Sequence, residues 1–140
     1  MSISFQRLPK KIFKGQVNQI KLWLKQTASL ERKHIGKIIY IFCDDEELLR
    51  INREFLKHDT LTDIITFDYT IANDVSGEIY ISLDRVKENA GKFGESEKQE
   101  LLRVMAHGIL HLCGYKDKTT VEKEQMRKKE NKSLKLIENI

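Results

Sequence analysis

Cysteine and proline are nearly missing from this chain of 140 residues, which has two of the first and one of the second. Cys43 and Cys113 both lie inside apolar runs. They form no disulfide framework and are expected to be reduced core thiols of a cytosolic protein. The lone Pro9 and seven glycines leave no linker-like stretch, and neither an internal repeat nor a low-complexity segment occurs. A single domain over 1–140 is therefore expected. No run approaches the ~20 apolar residues of a membrane-spanning helix. The N-terminal stretch lacks the basic start, apolar middle and small-residue cleavage site of a secretory leader. These absences point to the cytoplasm and away from a membrane. At 40% hydrophobic residues, a chain of this length buries roughly two-thirds of its unfolded surface, enough for one core.

Charge is mixed, not one-sided. Twenty-five Lys and Arg face 21 Asp and Glu, a net +4. That excess permits phosphate contact without requiring it. Basic residues gather at Lys10, Lys11 and Lys14, and again over 118–135. The second stretch interleaves Glu with Lys and reads as a solvated helix face.

Periodicity predicts a strand over 2–5, then a helix over 15–32 carrying Val17, Ile20, Trp23 and Leu24, stopped by Gly36. The β-branched and aromatic stretch 37–43 predicts a buried strand. Asp44 is a helix N-cap, with Glu46 and Glu47 suited to the positive end of a helix running to about 57. Strands over 64–69 and 77–83, separated by a turn containing Asn73 and Asp74, predict an antiparallel hairpin. Three helices follow: one from 82 or 83 to 93, one over 97–113 behind the cap Ser96, and one from Thr119 to about 137. Gly114 is placed as the left-handed stop of the second. The expected fold is α+β, a small mixed sheet of about four strands with helices packed on it.

The chemistry concentrates in 104–117. His107 and His111 are four apart on an apolar helix, so both imidazoles leave the same face and can converge on one cation. Two such histidines also serve as a hydrogen-bonded core pair. Gly114, three residues beyond, lets the chain turn back and bring Asp117 to the same point. This spacing is similar to that of metzincin-type zinc proteins, with Asp where their third histidine stands. A carboxylate oxygen is an accepted zinc ligand. Asp117, flanked by Lys116 and Lys118, also fits a surface ion pair. Cys113 points to a different side of the helix and is the poorer third ligand. Gly108 follows the first histidine where a metallopeptidase carries its glutamate base, which weighs against peptide hydrolysis; close helix–strand packing is its other explanation. Asp63 and Glu78 are weak candidates for a base. His58, Asp59 and Thr62 read as a solvated turn.

His107-Gly-Ile-Leu-His-Leu-Cys-Gly-Tyr115 resembles the signature of the YbeY family, His-Gly-x-Leu-His-Leu-x-Gly-Tyr-Asp-His. Asn52-Arg-Glu-Phe55 with Thr62-Asp-Ile-Ile-Thr-Phe67 resembles a second block of that family. Gly77-Glu-Ile-Tyr-Ile-Ser82, Leu83-Asp-Arg-Val86 and Glu88-Asn-Ala90 resemble a third. The blocks keep their order across 52–117. The resemblance implies a zinc-dependent, single-strand-specific endoribonuclease of ribosomal RNA maturation, acting at the 3′ end of small-subunit RNA. It implies one Zn2+ held by His107, His111 and Asp117, and partners among RNA, the small ribosomal subunit or assembly factors.

Two positions depart from the family pattern. Lys116-Asp117 replaces Asp-His, and Leu56 stands where the family usually has Arg. Lys57, Arg85 and Lys116 are the candidate phosphate contacts, and Tyr115 is a candidate for base stacking. Two other readings stay open: a hydrolase of another ester or amide, and a ribosome assembly factor with a structural metal and little or no catalysis.

Overall fold

The computed structural model describes residues 2–138. The sheet is ordered β1-β2-β4-β3, with β1 at Ser2–Gln6, β2 at His34–Cys43, β3 at Ile64–Asp68 and β4 at Asp74–Ser82. β1 and β4 both pair with β2 in parallel, and β3 pairs with β4 antiparallel. The hairpin predicted from 64–83 is therefore present, with Ile64 opposite Ile81. Parallel neighbours need crossovers. The β1–β2 crossover is α1 (Val17–Leu30) and the β2–β4 crossover contains α2 (Asp45–Phe55).

Gly36 does not end α1. That helix stops at Leu30, and Arg32 makes the turn at φ 58°. Gly36 lies inside β2, where the register with β4 slips between Ile35 and Ile38. A side chain there would strike Ser76 Oγ, so the glycine serves strand packing.

The caps are where short polar side chains sit before amphipathic runs. Asp44 accepts from the Glu47 amide at 2.8 Å. Ser82 and Ser96 accept from the Arg85 and Gln99 amides, opening α3 (Leu83–Phe93) and α4 (Glu97–Leu112). Thr119 and Glu122 form a reciprocal box at the start of α5 (Thr120–Lys135).

α4 is the buried element that positions the site. Leu101, Met105, Ile109 and Leu112 share one core with Ile38, Tyr40, Ile79 and Ile81 of the sheet. Tyr40 Oη donates to the Met105 carbonyl at 2.7 Å, so its hydroxyl is satisfied inside the core. Gly108 faces the sheet at the closest approach: a Cβ there would lie 3.0 Å from two Ile79 side-chain atoms and 3.2 Å from Ile64. Its role is packing, and it brings α4 close against β4. The opposite face of the sheet carries a smaller cluster of Cys43, Leu48, Ile51 and Ile65 under α2.

The solvated reading of 118–135 holds for only part of α5. Met126, Glu130, Ser133 and Leu134 are buried on one stripe. Trp23 Nε1 donates to the Ser133 carbonyl at 2.8 Å, tying α1 to α5.

Candidate metal centre

α4 projects His107 and His111 from one face, with ring centroids 4.8 Å apart. Gly114 then adopts φ 109°, a conformation that glycine adopts without a Cβ clash. The Tyr115 amide returns to the Leu110 carbonyl at 3.1 Å, closing the helix end. The turned chain delivers Asp117, whose carboxylate oxygens lie 3.2 Å from His107 Nε2 and 3.5 Å from His111 Nε2. One ligand atom from each of the three residues falls within 4.8 Å of the others.

This donor set can be tested against zinc. Bonds of 2.0–2.1 Å in tetrahedral geometry place neighbouring donors about 3.3–3.4 Å apart. The two nitrogen–oxygen separations bracket that value, and two imidazoles with one carboxylate are zinc-type donors. The residues fit the ion. They line a cleft of about 820 Å3.

Glu130 was not foreseen from sequence. Its carboxylate is buried and accepts from His107 Nδ1 at 2.8 Å. Arg103 reaches the same carboxylate at 3.3 Å and the Asn131 side chain at 3.0 Å. The available signal was the spacing Met126–Glu130–Ser133–Leu134, a helical stripe with a carboxylate inside it.

The surroundings set the protonation of each group. Burial pushes His107 down, but the Glu130 hydrogen bond and the carboxylates of Glu130, Asp117 and Asp63 carry it above the ordinary histidine value. Burial and the neighbouring His107 hold His111 below it. Burial raises Asp63, against the pull of His107. Burial also lifts Glu100 to about 7, with Arg103 opposing.

The structure brings His107, His111 and Asp117 together, and places the four RNA-contact candidates elsewhere. Arg85 lies on α3, its Nε 3.0 Å from the Asp45 carboxylate, outside the cleft wall. Lys57 follows α2 at φ 55°; its neighbours Leu56 and His58 line the cleft, and Lys57 does not. Tyr115 and Lys116 line a separate depression with Glu31. There Tyr115 donates to Glu31, and Lys129 sits 5.5 Å from the ring centre. The cations that line the cleft are Arg103, Lys118, Lys123 and Arg127. Asp63 and His58 also line it, whereas Glu78 accepts from Tyr69 Oη. Asn52 is buried and donates to the Thr60 carbonyl at 2.9 Å, pinning the loop that forms the opposite rim.

No helix among the described residues is long and apolar enough to cross a membrane. The sequence profile of the Endoribonuclease YbeY family matches residues 3–138. A protein of Flavobacterium johnsoniae named endoribonuclease YbeY is 55% identical over 112 residues, 80% of this chain and 81% of its own length. A protein of Cytophaga hutchinsonii with the same name is 55% identical over 119 residues, 84% of this chain and 83% of its own. The solution structure of TM1509 from Thermotoga maritima superposes with a TM-score of 0.64 at 28% identity, over 96% of this chain and 89% of that one. Relatives named for endoribonuclease activity favour the enzymatic reading over a non-catalytic assembly factor. The chain belongs to the YbeY family of endoribonucleases.

Proposed function

We propose that this protein is a zinc-dependent endoribonuclease that cuts single-stranded RNA during ribosomal RNA maturation, at the 3′ end of small-subunit RNA. Its setting is the cytoplasm, and its partners are the small ribosomal subunit or assembly factors. The observation that carries the reading is the convergence of His107, His111 and Asp117 in a cleft that also carries cations.

His107, His111 and Asp117 would hold the ion. When bound, zinc supplies Lewis acidity toward a phosphoryl oxygen and lowers the pKa of a water. The protein's side chains do the rest. Asp63, half-buried at the cleft wall and raised above the carboxylate range, would take up a proton near the scissile phosphate. Position 108 offers no base, because α4 packs there against Ile79. Lys118 and Lys123 carry no ion-pair partner among the described residues, and Arg127 lies only 3.8 Å from Glu130 at its nearest. These three face the RNA backbone from the α5 side of the cleft.

Chelation tests the reading. Cleavage of single-stranded RNA should vanish with a zinc chelator, return with added zinc, and be lost in His107→Ala. Activity that persists through both treatments would rule the site out as its source.

The cationic wall makes a second expectation. Lys123→Ala with Arg127→Ala should weaken RNA binding at low salt and flatten its salt dependence. Each phosphate contact on a single strand contributes about 0.7 to the slope of log affinity against log salt, so losing two should lower the slope by about 1.4. Titration of a labelled single strand at several salt concentrations measures it. An unchanged slope would place the strand elsewhere.

A further inference from the structure

We infer that Glu130 is a positioning residue for the metal: from α5 it holds a proton on His107 Nδ1 and so turns Nε2 of that ring toward the ion. The inference rests on the reading of His107, His111 and Asp117 as ligands. A neutral imidazole has one N–H and one lone pair, and whichever nitrogen keeps the hydrogen cannot bind metal. Glu130 Oε2 is 2.8 Å from Nδ1. An ionised carboxylate only accepts, so this contact requires the hydrogen on Nδ1 and leaves the Nε2 lone pair facing the Asp117 side, where the donors converge.

Three observations make Glu130 suited to the task. Its side chain is 6% exposed, so water competes little for the carboxylate. Its other oxygen is 3.3 Å from Arg103, whose own side chain is 12% exposed and bonds Asn131 on α5. The carboxylate is thus fixed in orientation by two side chains of α4, Arg103 and His107. It also lies 23 residues beyond His107 in the chain, on an element that supplies none of the three ligands. Metal affinity is thereby coupled to the docking of α5. A carboxylate hydrogen-bonded to a ligating imidazole raises its basicity, and loss of such a partner typically weakens metal binding 10–100-fold.

The measurement is zinc affinity by chelator competition, with the visible spectrum of the cobalt-substituted protein, in wild type and Glu130→Gln. Glutamine keeps the shape but loses the charge, and with its oxygen drawn to Arg103 its amide N–H2 faces Nδ1 as a donor, not an acceptor. The inference expects E130Q to remain folded by circular dichroism, to bind zinc about tenfold or more weakly, and to show a changed cobalt spectrum. A folded E130Q with wild-type zinc affinity and an unchanged cobalt spectrum would overturn it, leaving Glu130 as a structural partner of Arg103. Long-range nitrogen–proton NMR of the zinc-loaded wild type decides the matter even if E130Q fails to fold. Nδ1–H with metal at Nε2 of His107 supports the inference, and metal at Nδ1 overturns it. A folded wild type that takes up no zinc would sink the metal reading itself, a result distinct from failure of Glu130 alone.

Discussion

Asp117→Ala should lose its zinc and lower RNA cleavage by more than about 100-fold, beyond what loss of an outer hydrogen-bond partner costs. The residue lies past the end of α4, and its side chain is 38% exposed, so little packing leaves with it. What leaves is one of three donors and the only negative one. The remaining histidines are a weak pair for a divalent cation. Metal content by mass spectrometry, read beside cleavage rate and circular dichroism, checks this. A folded D117A protein with one zinc per chain would remove Asp117 from the ligand set. The companion change Asp117→His should retain zinc and raise the charge of the site by one. A more positive metal site acidifies bound water more strongly. The rise of activity with pH should therefore begin at lower pH than in the wild type. An unshifted profile would show that the ligand charge does not set it.

Glu100→Gln should stabilise the protein at pH 8 by about 2–3 kcal/mol and have little effect near pH 4. Glu100 is 4% exposed, and its Oε1 has no hydrogen-bond partner. Arg103 approaches only to 3.9 Å. Burial lifts the group from an ordinary 4.5 to about 7, with Asp63 and Glu95 adding to the rise and Arg103 and Arg127 opposing it. The sign follows from proton counts. Between those two values the folded chain holds a proton that the unfolded chain has released, so stability falls as pH rises through the window. The full penalty is present above about 7 and absent below about 4.5. At 1.36 kcal/mol per pKa unit, it is about 3 kcal/mol. Glutamine never ionises and escapes the penalty. Urea unfolding of both proteins across this pH range measures the difference. An equal gap at both pH values would assign the effect to packing.

The convergence of His107, His111 and Asp117 was legible because it is local. Helical spacing places His107 beside His111, and one glycine in a positive-φ turn decides where residue 117 can go. The hairpin was legible for the same reason, since two β-rich runs with a short polar link have few other arrangements. Glu130 and Arg103 were hidden because their meeting depends on how α5 lies against α4, and the many lysines of 118–135 masked the buried stripe. The RNA-contact candidates Arg85, Lys57, Lys116 and Tyr115 were chosen by residue type and by nearness in the chain to the motifs. Direction decides which side chains enter a cleft, and at helix ends direction depends on turns such as Lys57 at φ 55°. Gly36 misled because a glycine after a helical run usually ends it; here the positive-φ residue was Arg32.

The chain has a single tryptophan, and Trp23 is buried with its indole N–H on a carbonyl of α5, three residues from Glu130. Its fluorescence is therefore an optical gauge of α5 seating. The helix that holds the Glu130 carboxylate and the cleft cations Lys123 and Arg127 has its own reporter, so detachment of α5 is visible as a red-shifted emission without any label.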